Sequence, residues 1–231
     1  MGKLKRITAP KHWRVPKKKY KWVVCPSPGP HRKFESIPLQ IIVKEILHLA
    51  ETSKEAKQII KKGEILVDGK PRKDHDYPTG IFDVISIPKI NKHYRIVPYE
   101  DGLKLIEIDE SEAKLKICKI ENKTAVKGGK IQLNLNDGKN ILAEKKYKTG
   151  DSVLLEIPDL NIVDHIPLEE GNTGIIVKGK NAGKIVKVKK VIPSEFKVKP
   201  KVVCEFEGRE LETLKDYIFI IGKDKPVIKV N

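Results

Sequence analysis

The sequence has no acidic side chain before Glu35, only three cysteines, and no apolar run that approaches the roughly 18 residues of a membrane-spanning helix. Each shortage excludes something. Without a long apolar run there is no helix to cross a bilayer. Near the start, Lys, Arg, His and Pro recur too often for the uninterrupted apolar stretch of about 7 to 15 residues that a secretory signal requires. Pro10, Pro16, Pro26, Pro28 and Pro30 would break an amphipathic targeting helix, so the cytoplasm is the expected location. Cys25, Cys118 and Cys204 are odd in number and lie more than eighty residues apart. They read as reduced thiols of an intracellular protein rather than a disulfide framework. Cys25 stands between His12 and His31, but that spacing offers no close ligand pair for zinc, so no metal is expected. A Walker-type phosphate loop and a glycine-rich dinucleotide fingerprint are both absent, and neither a cofactor nor a small-molecule substrate is expected.

What is present is positive charge, concentrated at one end. The net charge is +16, and eleven of the 47 basic residues precede Glu35: Lys3, Lys5, Arg6, Lys11, Arg14, Lys17, Lys18, Lys19, Lys21, Arg32 and Lys33. The other 197 residues carry 36 basic and 31 acidic side chains, so the body is only mildly basic. A polyanion relieves the self-repulsion of such an arm and gains entropy by releasing its own counterions. At 231 residues and 39% apolar composition, the chain suits several small modules better than one large core.

The expected organisation is α+β and multi-modular, beginning with a basic arm over residues 1–37. Its Pro, Lys and Arg content predicts that it takes its order from a partner rather than from a core of its own. Trp13, Tyr20 and Trp22 would either stack on exposed bases or pack against the body. His12 and His31 would either touch phosphate or ribose or be ordinary packing. In the module that follows, residues 38–93, Leu39, Ile42, Val43, Ile46 and Leu47 fall at helical spacing with Gln40, Lys44 and His48 opposite. Thr52 with Glu55 forms a capping box for a second helix ending at Gly63. Ala56, Ile59 and Ile60 would face its core, and Lys54, Lys57 and Lys61 water. Asp68 and Gly69 specify a tight type I′ hairpin that delivers Lys70, Arg72 and Lys73 close to those lysines. Two converging basic clusters suit a phosphate backbone.

Residues 94–170 lose helical periodicity and break into short apolar runs between turns at Asn136, Asp137 and Gly138 and at Thr149, Gly150 and Asp151, which predicts a small β-rich domain. In residues 171–231, "GNTGIIVKGKNAGKIVKVKKV" (171–191) places two β-branched strands around a glycine-bearing loop that carries Lys178, Lys180, Asn181 and Lys184.

The 38–88 segment resembles the alpha-L RNA-binding motif of ribosomal proteins, pseudouridine synthases and tyrosyl-tRNA synthetases. Residues 171–191 resemble the KOW motif, an SH3-like β-barrel whose loop approaches RNA. Gly179 and Gly183 fit its spacing, whereas Val186 stands where a glycine is usual. From end to end, "LKRITAPKHW" (4–13), "PSPGPH" (26–31), "IPL" (37–39), "YPTGIFDVISI" (77–87), "EAKLKICKI" (112–120), "GNTG" (171–174) and "IFIIGKDKP" (218–226) resemble the archaeal and eukaryotic type of small-subunit ribosomal protein four. That resemblance implies a structural constituent of the small ribosomal subunit. Its partners would be small-subunit rRNA, in the 5′ domain, and neighbouring ribosomal proteins. The basic arm would be an extension threading between rRNA helices.

Enzymatic readings fare worse. Asp74, His75 and Asp76, and Asp164 with His165, carry acid/base or metal-ligating side chains, but the first set sits in a loop beside Lys73 and the second lies between short strands without a third ligand. The Arg-Leu-Asp tripeptide of a pseudouridine synthase is missing. A free transcription or translation factor that uses the KOW-like barrel is the remaining alternative.

Overall fold

The structure is a computed structural model and describes residues 4–100, 102–143, 146–194 and 199–230. The chain divides into two compact units, residues 1–97 with 101–114, and residues 98–100 with 115–231. Among the described residues no helix is long and apolar enough to cross a membrane.

The first unit begins with β1 (Leu4–Lys5), which pairs antiparallel with β2 (Trp22–Val23). β3 (Ile37–Pro38), α1 (Leu39–Ile41) and α2 (Ser53–Lys61) follow, then β4 (Leu66–Val67), β5 (Lys70–Pro71), β6 (Pro78–Thr79), β7 (Val84–Ile87), β8 (Lys92–Tyr99), β9 (Gly102–Ile108) and α3 (Glu110–Ala113). Its main sheet has the order β5-β4-β7-β8-β9, so the boundary expected at residues 93/94 falls inside β8 and the sheet runs on to Ile108. The hairpin forms as its sequence specifies. Asp68 (φ 50°) and Gly69 (φ 73°) are both left-handed, and the Asp68 carboxylate accepts the Val84 N–H at 3.1 Å. The α2 capping box is complete, because Thr52 Oγ1 accepts the Glu55 N–H and the Glu55 carboxylate accepts the Thr52 N–H.

Two expectations fail in this unit. The helix predicted over residues 39–47 is α-helical only through Ile41 and then widens into a π turn, Ile42–Ile46, closed by the Leu47 N–H on the Ile42 carbonyl at 2.8 Å. Ile41, Ile42 and Val43 are all buried in succession, and of the three residues expected in water Gln40 is buried, Lys44 is half-buried and His48 is exposed. The covering element is the arm itself. Leu4, Ala9, Trp13 and Val15 belong to the same core as Leu39, Ile42, Ile60, Ile65 and Ile96. The arm therefore owes its packing to spaced apolar residues, among them these four, and the expectation that its order comes only from a partner is corrected.

The second unit holds two five-stranded sheets. β10 (Leu115–Ala125), β11 (Ile131–Leu135), β12 (Asn140–Ala143), β13 (Ser152–Glu156) and β14 (Asn161–Ile166) form the order β12-β11-β10-β13-β14. β15 (Thr173–Ile176), β16 (Ile185–Ile192), β17 (Lys201–Phe206), β18 (Arg209–Leu214) and β19 (Ile218–Gly222) form β18-β17-β16-β15-β19. Every pairing is antiparallel. Within β10, Lys116 is fully buried against Asp137 at 2.9 Å. Lys119 is buried as well, and its ammonium donates to the carbonyls of Lys215 (2.9 Å), Asp216 (3.3 Å) and Ile218 (2.7 Å), tying β10 to the start of β19. Three donors meet three backbone acceptors, which is why a charge is tolerated there.

Burial pushes the Lys119 ammonium down to about 8. Between about pH 8 and its unfolded value, the folded chain has lost a proton that the unfolded chain still binds, so stability should rise with pH in that window, by at most about 1.4 kcal/mol per pH unit. Urea denaturation of the parent and of Lys119→Met from pH 7 to 10 should show this increment only in the parent. Parallel curves would mean that Lys119 does not titrate there.

Candidate nucleic-acid interface

The clearest basic surface lies on α2 and the β4–β5 hairpin. Lys54, Lys57 and Lys61 recur at helical spacing and are all exposed, as is Lys62, which the sequence reading passed over although it is adjacent. Lys70 and Lys73 are exposed on the hairpin, and the two clusters meet, since a Cβ on Gly63 would lie 3.6 Å from Lys73 Cε and 3.7 Å from Pro71 Cβ. Gly63 is itself left-handed (φ 75°), so it turns the chain from α2 directly into the hairpin. Arg72 differs from its neighbours. It is half-buried with its guanidinium 4.5 Å from the Tyr77 ring centroid, and so has a packing role beside any phosphate contact. The half-buried His75 is held below its ordinary value by burial and then by Lys57.

The arm contributes a second surface. Lys5, Lys11, Arg14, Lys18, Lys19, Lys21, Arg32 and Lys33 are exposed. Lys17 is half-buried and donates to the carbonyls of Ile7 and Ala9, and Lys3 lies outside the described residues.

Four arm residues expected at an interface face inward instead. Trp13 is fully buried, with its indole N–H donating to the Ser36 carbonyl at 2.7 Å, so of the two open readings packing against the body is the observed one. His12 is buried beside Gly102, where an added Cβ would come within 2.6 Å of the His12 ring, and burial lowers its pKa. Arg6 is buried against the Pro16 carbonyl (3.3 Å) and Glu45 (3.5 Å). His31 points its Nε2 at Asp83 Oδ2, 2.9 Å away, and both side chains are buried. Gly80 makes room for that pair, because a Cβ there would stand 2.3 Å from the His31 ring, and its N–H donates to the same Asp83 oxygen. The common reason is local. Each side chain is buried against the body, where polar groups mostly find internal partners. Tyr20 and Trp22, by contrast, are 55% and 45% exposed.

The third surface is the β15–β16 loop. Gly179 (φ 90°) and Gly183 (φ 84°) supply its left-handed turns, and the Gly183 N–H donates to the Ile176 carbonyl. Lys180 is exposed, Lys178 and Asn181 are half-buried, and the half-buried Lys184 donates to Asn181 Oδ1 at 3.0 Å and lies 4.8 Å from the Phe206 ring centroid. Val186 is buried and pairs with Gly174, across which the Ile218 side chain packs, so the valine fills core where a smaller residue would leave space.

Each acidic-histidine set includes a residue tied into the fold by a hydrogen bond. Asp76 presents its carbonyl to the Ser27 N–H at 2.9 Å, and His165 bonds Asp151 Oδ2 at 2.7 Å while its ring meets Tyr147 edge-on at 4.8 Å. Cys25, Cys118 and Cys204 are thiols, Cys118 Sγ donating to Asp137 Oδ2 at 3.8 Å, and burial pushes the Cys204 thiol up to about 11, which leaves it unreactive at neutral pH.

Three family models match in succession: the RS4NT (NUC023) domain over residues 2–33, the S4 domain over 37–85 and the ribosomal family S4e over 90–162. The small ribosomal subunit protein eS4 of Archaeoglobus fulgidus is 50% identical over 230 residues, covering 98% of this chain and 97% of that protein. Its counterpart in Methanothermobacter thermautotrophicus is 47% identical over 229 residues, covering 98% and 95%. Among solved structures, the 30S ribosomal protein S4e of Thermoplasma acidophilum superposes with a TM-score of 0.71 at 28% identity, covering 82% of this chain and 96% of that one.

Proposed function

This chain belongs to the S4e family of ribosomal proteins, and from that premise we propose that it is a structural constituent of the small ribosomal subunit, binding rRNA in the cytoplasm and supporting subunit assembly and translation. The observation that carries this reading is the end-to-end match to proteins named for that subunit, at about half identity and without a missing module. A free transcription or translation factor would not require it, and the role proposed is non-catalytic.

In finer terms, the α2 and hairpin lysines form an alpha-L RNA-binding surface, the exposed arm lysines continue it, and β15 to β19 form a KOW-type SH3-like barrel whose loop meets RNA through Lys178 and Lys180. The rRNA contacted is its 5′ domain, with neighbouring small-subunit proteins beside it. Phosphate contacts dominate such binding and make it steeply salt-dependent. The expected result is co-sedimentation with small subunits through a high-salt wash, because many simultaneous contacts within an assembled particle outlast the screening of any single one. Release into the supernatant at the salt that strips loosely bound factors would overturn the reading.

A further inference from the structure

The arm does not lie flat on the α1 segment. Between them is a cleft of about 350 Å³ lined by Arg6, Trp22, Gln40, Lys44, Lys57 and His75, among others. Its volume is at the small end of the range for ligand sites, enough for one nucleotide and too little for a duplex.

Two features of its wall call for a ligand. Gln40 is only 8% exposed, yet its amide Oε1 has no hydrogen-bond partner, and Arg6, 6% exposed, has an unpartnered Nε–H. A buried acceptor and a buried donor left open are unfavourable and uncommon in a folded chain. Beside them Glu45 holds both Arg6 (3.5 Å) and Lys44 (3.4 Å). The Trp22 ring, 45% exposed, also lines the cleft, with the Lys21 ammonium 5.3 Å from its centroid. Lys57 belongs at once to the cleft and to the exposed α2 face assigned above to the phosphate backbone.

We infer that this cleft receives one unstacked nucleotide from the RNA strand that runs along α2, its base lying against Trp22 with an amino or imino N–H donating to the Gln40 amide oxygen, and its flanking phosphates meeting Lys21 and Lys57. An aromatic face, a polar group for a base edge and cations for the backbone are the elements by which single-stranded RNA is held. The inference rests on the rRNA-binding reading above and adds a point of contact to the base, where the lysine surfaces contact only phosphate.

The test separates base from phosphate. The full chain, Trp22→Ala and Gln40→Met are titrated with a small-subunit rRNA transcript over a series of salt concentrations, alongside thermal melts. Trp22→Ala should weaken binding about tenfold or more at every salt with the slope of log K against log salt unchanged, because stacking releases no counterions. Gln40→Met should weaken binding severalfold yet raise Tm, because an orphan acceptor has been replaced by an apolar side chain of similar shape. A purely structural glutamine would show the opposite change in Tm. Parent-like affinity in Trp22→Ala, or a loss confined to a changed salt slope, overturns the cleft while leaving the rRNA-binding reading intact. A parent chain that fails to bind the transcript overturns both.

Discussion

Trp13→Ala is expected to destabilise the first unit by about 3 to 5 kcal/mol, the usual cost of truncating a fully buried tryptophan. The side chain is wholly enclosed, and its indole N–H is the donor to the buried Ser36 carbonyl, which the alanine variant would strand. His12 packs edge-on to the same indole at a centroid distance of 6.5 Å, so the void would reach a second buried arm residue. Chemical denaturation followed by circular dichroism measures the loss. The same geometry makes removal of residues 1–33 a folding defect rather than the trimming of a tail, because Leu4, Ala9, Trp13 and Val15 would all leave the core. In limited proteolysis the RNA-free chain should keep this segment attached to the body. Parent-like stability of Trp13→Ala, or rapid loss of the arm in the free chain, would show that it is not part of the core.

Replacing Lys57, Lys61, Lys70 and Lys73 together by Gln should lower rRNA affinity by roughly a thousandfold at low salt, if each charge-assisted phosphate contact contributes about 1 kcal/mol after screening. The slope of log K against log salt should also flatten by about 3, since each neutralised phosphate releases about 0.7 to 0.9 counterions. Folding should survive, because all four side chains are exposed. Arg72 is left in place because its guanidinium covers the Tyr77 ring and its removal would mix packing with binding. A parent-like slope would falsify the assignment of this surface to RNA and shift the contact to the exposed arm lysines and Lys180.

Local chemistry was legible in the sequence wherever neighbours along the chain decide the outcome. The Thr52 and Glu55 box, the Asp68 and Gly69 turn, the Gly138 turn and the α2 lysine face all lie where their residue types put them. These features depend on backbone φ preferences and on hydrogen bonds a few residues long, which a linear sequence carries in full. The family was legible too, since its motifs run through the whole chain in order.

Which residues of a basic, proline-rich arm face water is set by what the arm lies on, and only the tertiary structure decided that. Four apolar residues at irregular spacing show no helix or strand period, so nothing in residues 4–15 announced that Trp13 and Arg6 turn inward. Once the arm packs over α1, the segment widens after Ile41 with Ile42 and Val43 buried, and Gln40 becomes part of the wall of a cleft. Lys119 repeats the lesson in the second unit: three carbonyls nearly a hundred residues away make a buried ammonium tenable. Sequence by itself determined the charge, the caps and turns and the family, because those are properties of residues and their near neighbours. Burial is a property of distant pairs, and it is burial that separates the lysines and arginines open to phosphate from those that hold the protein together.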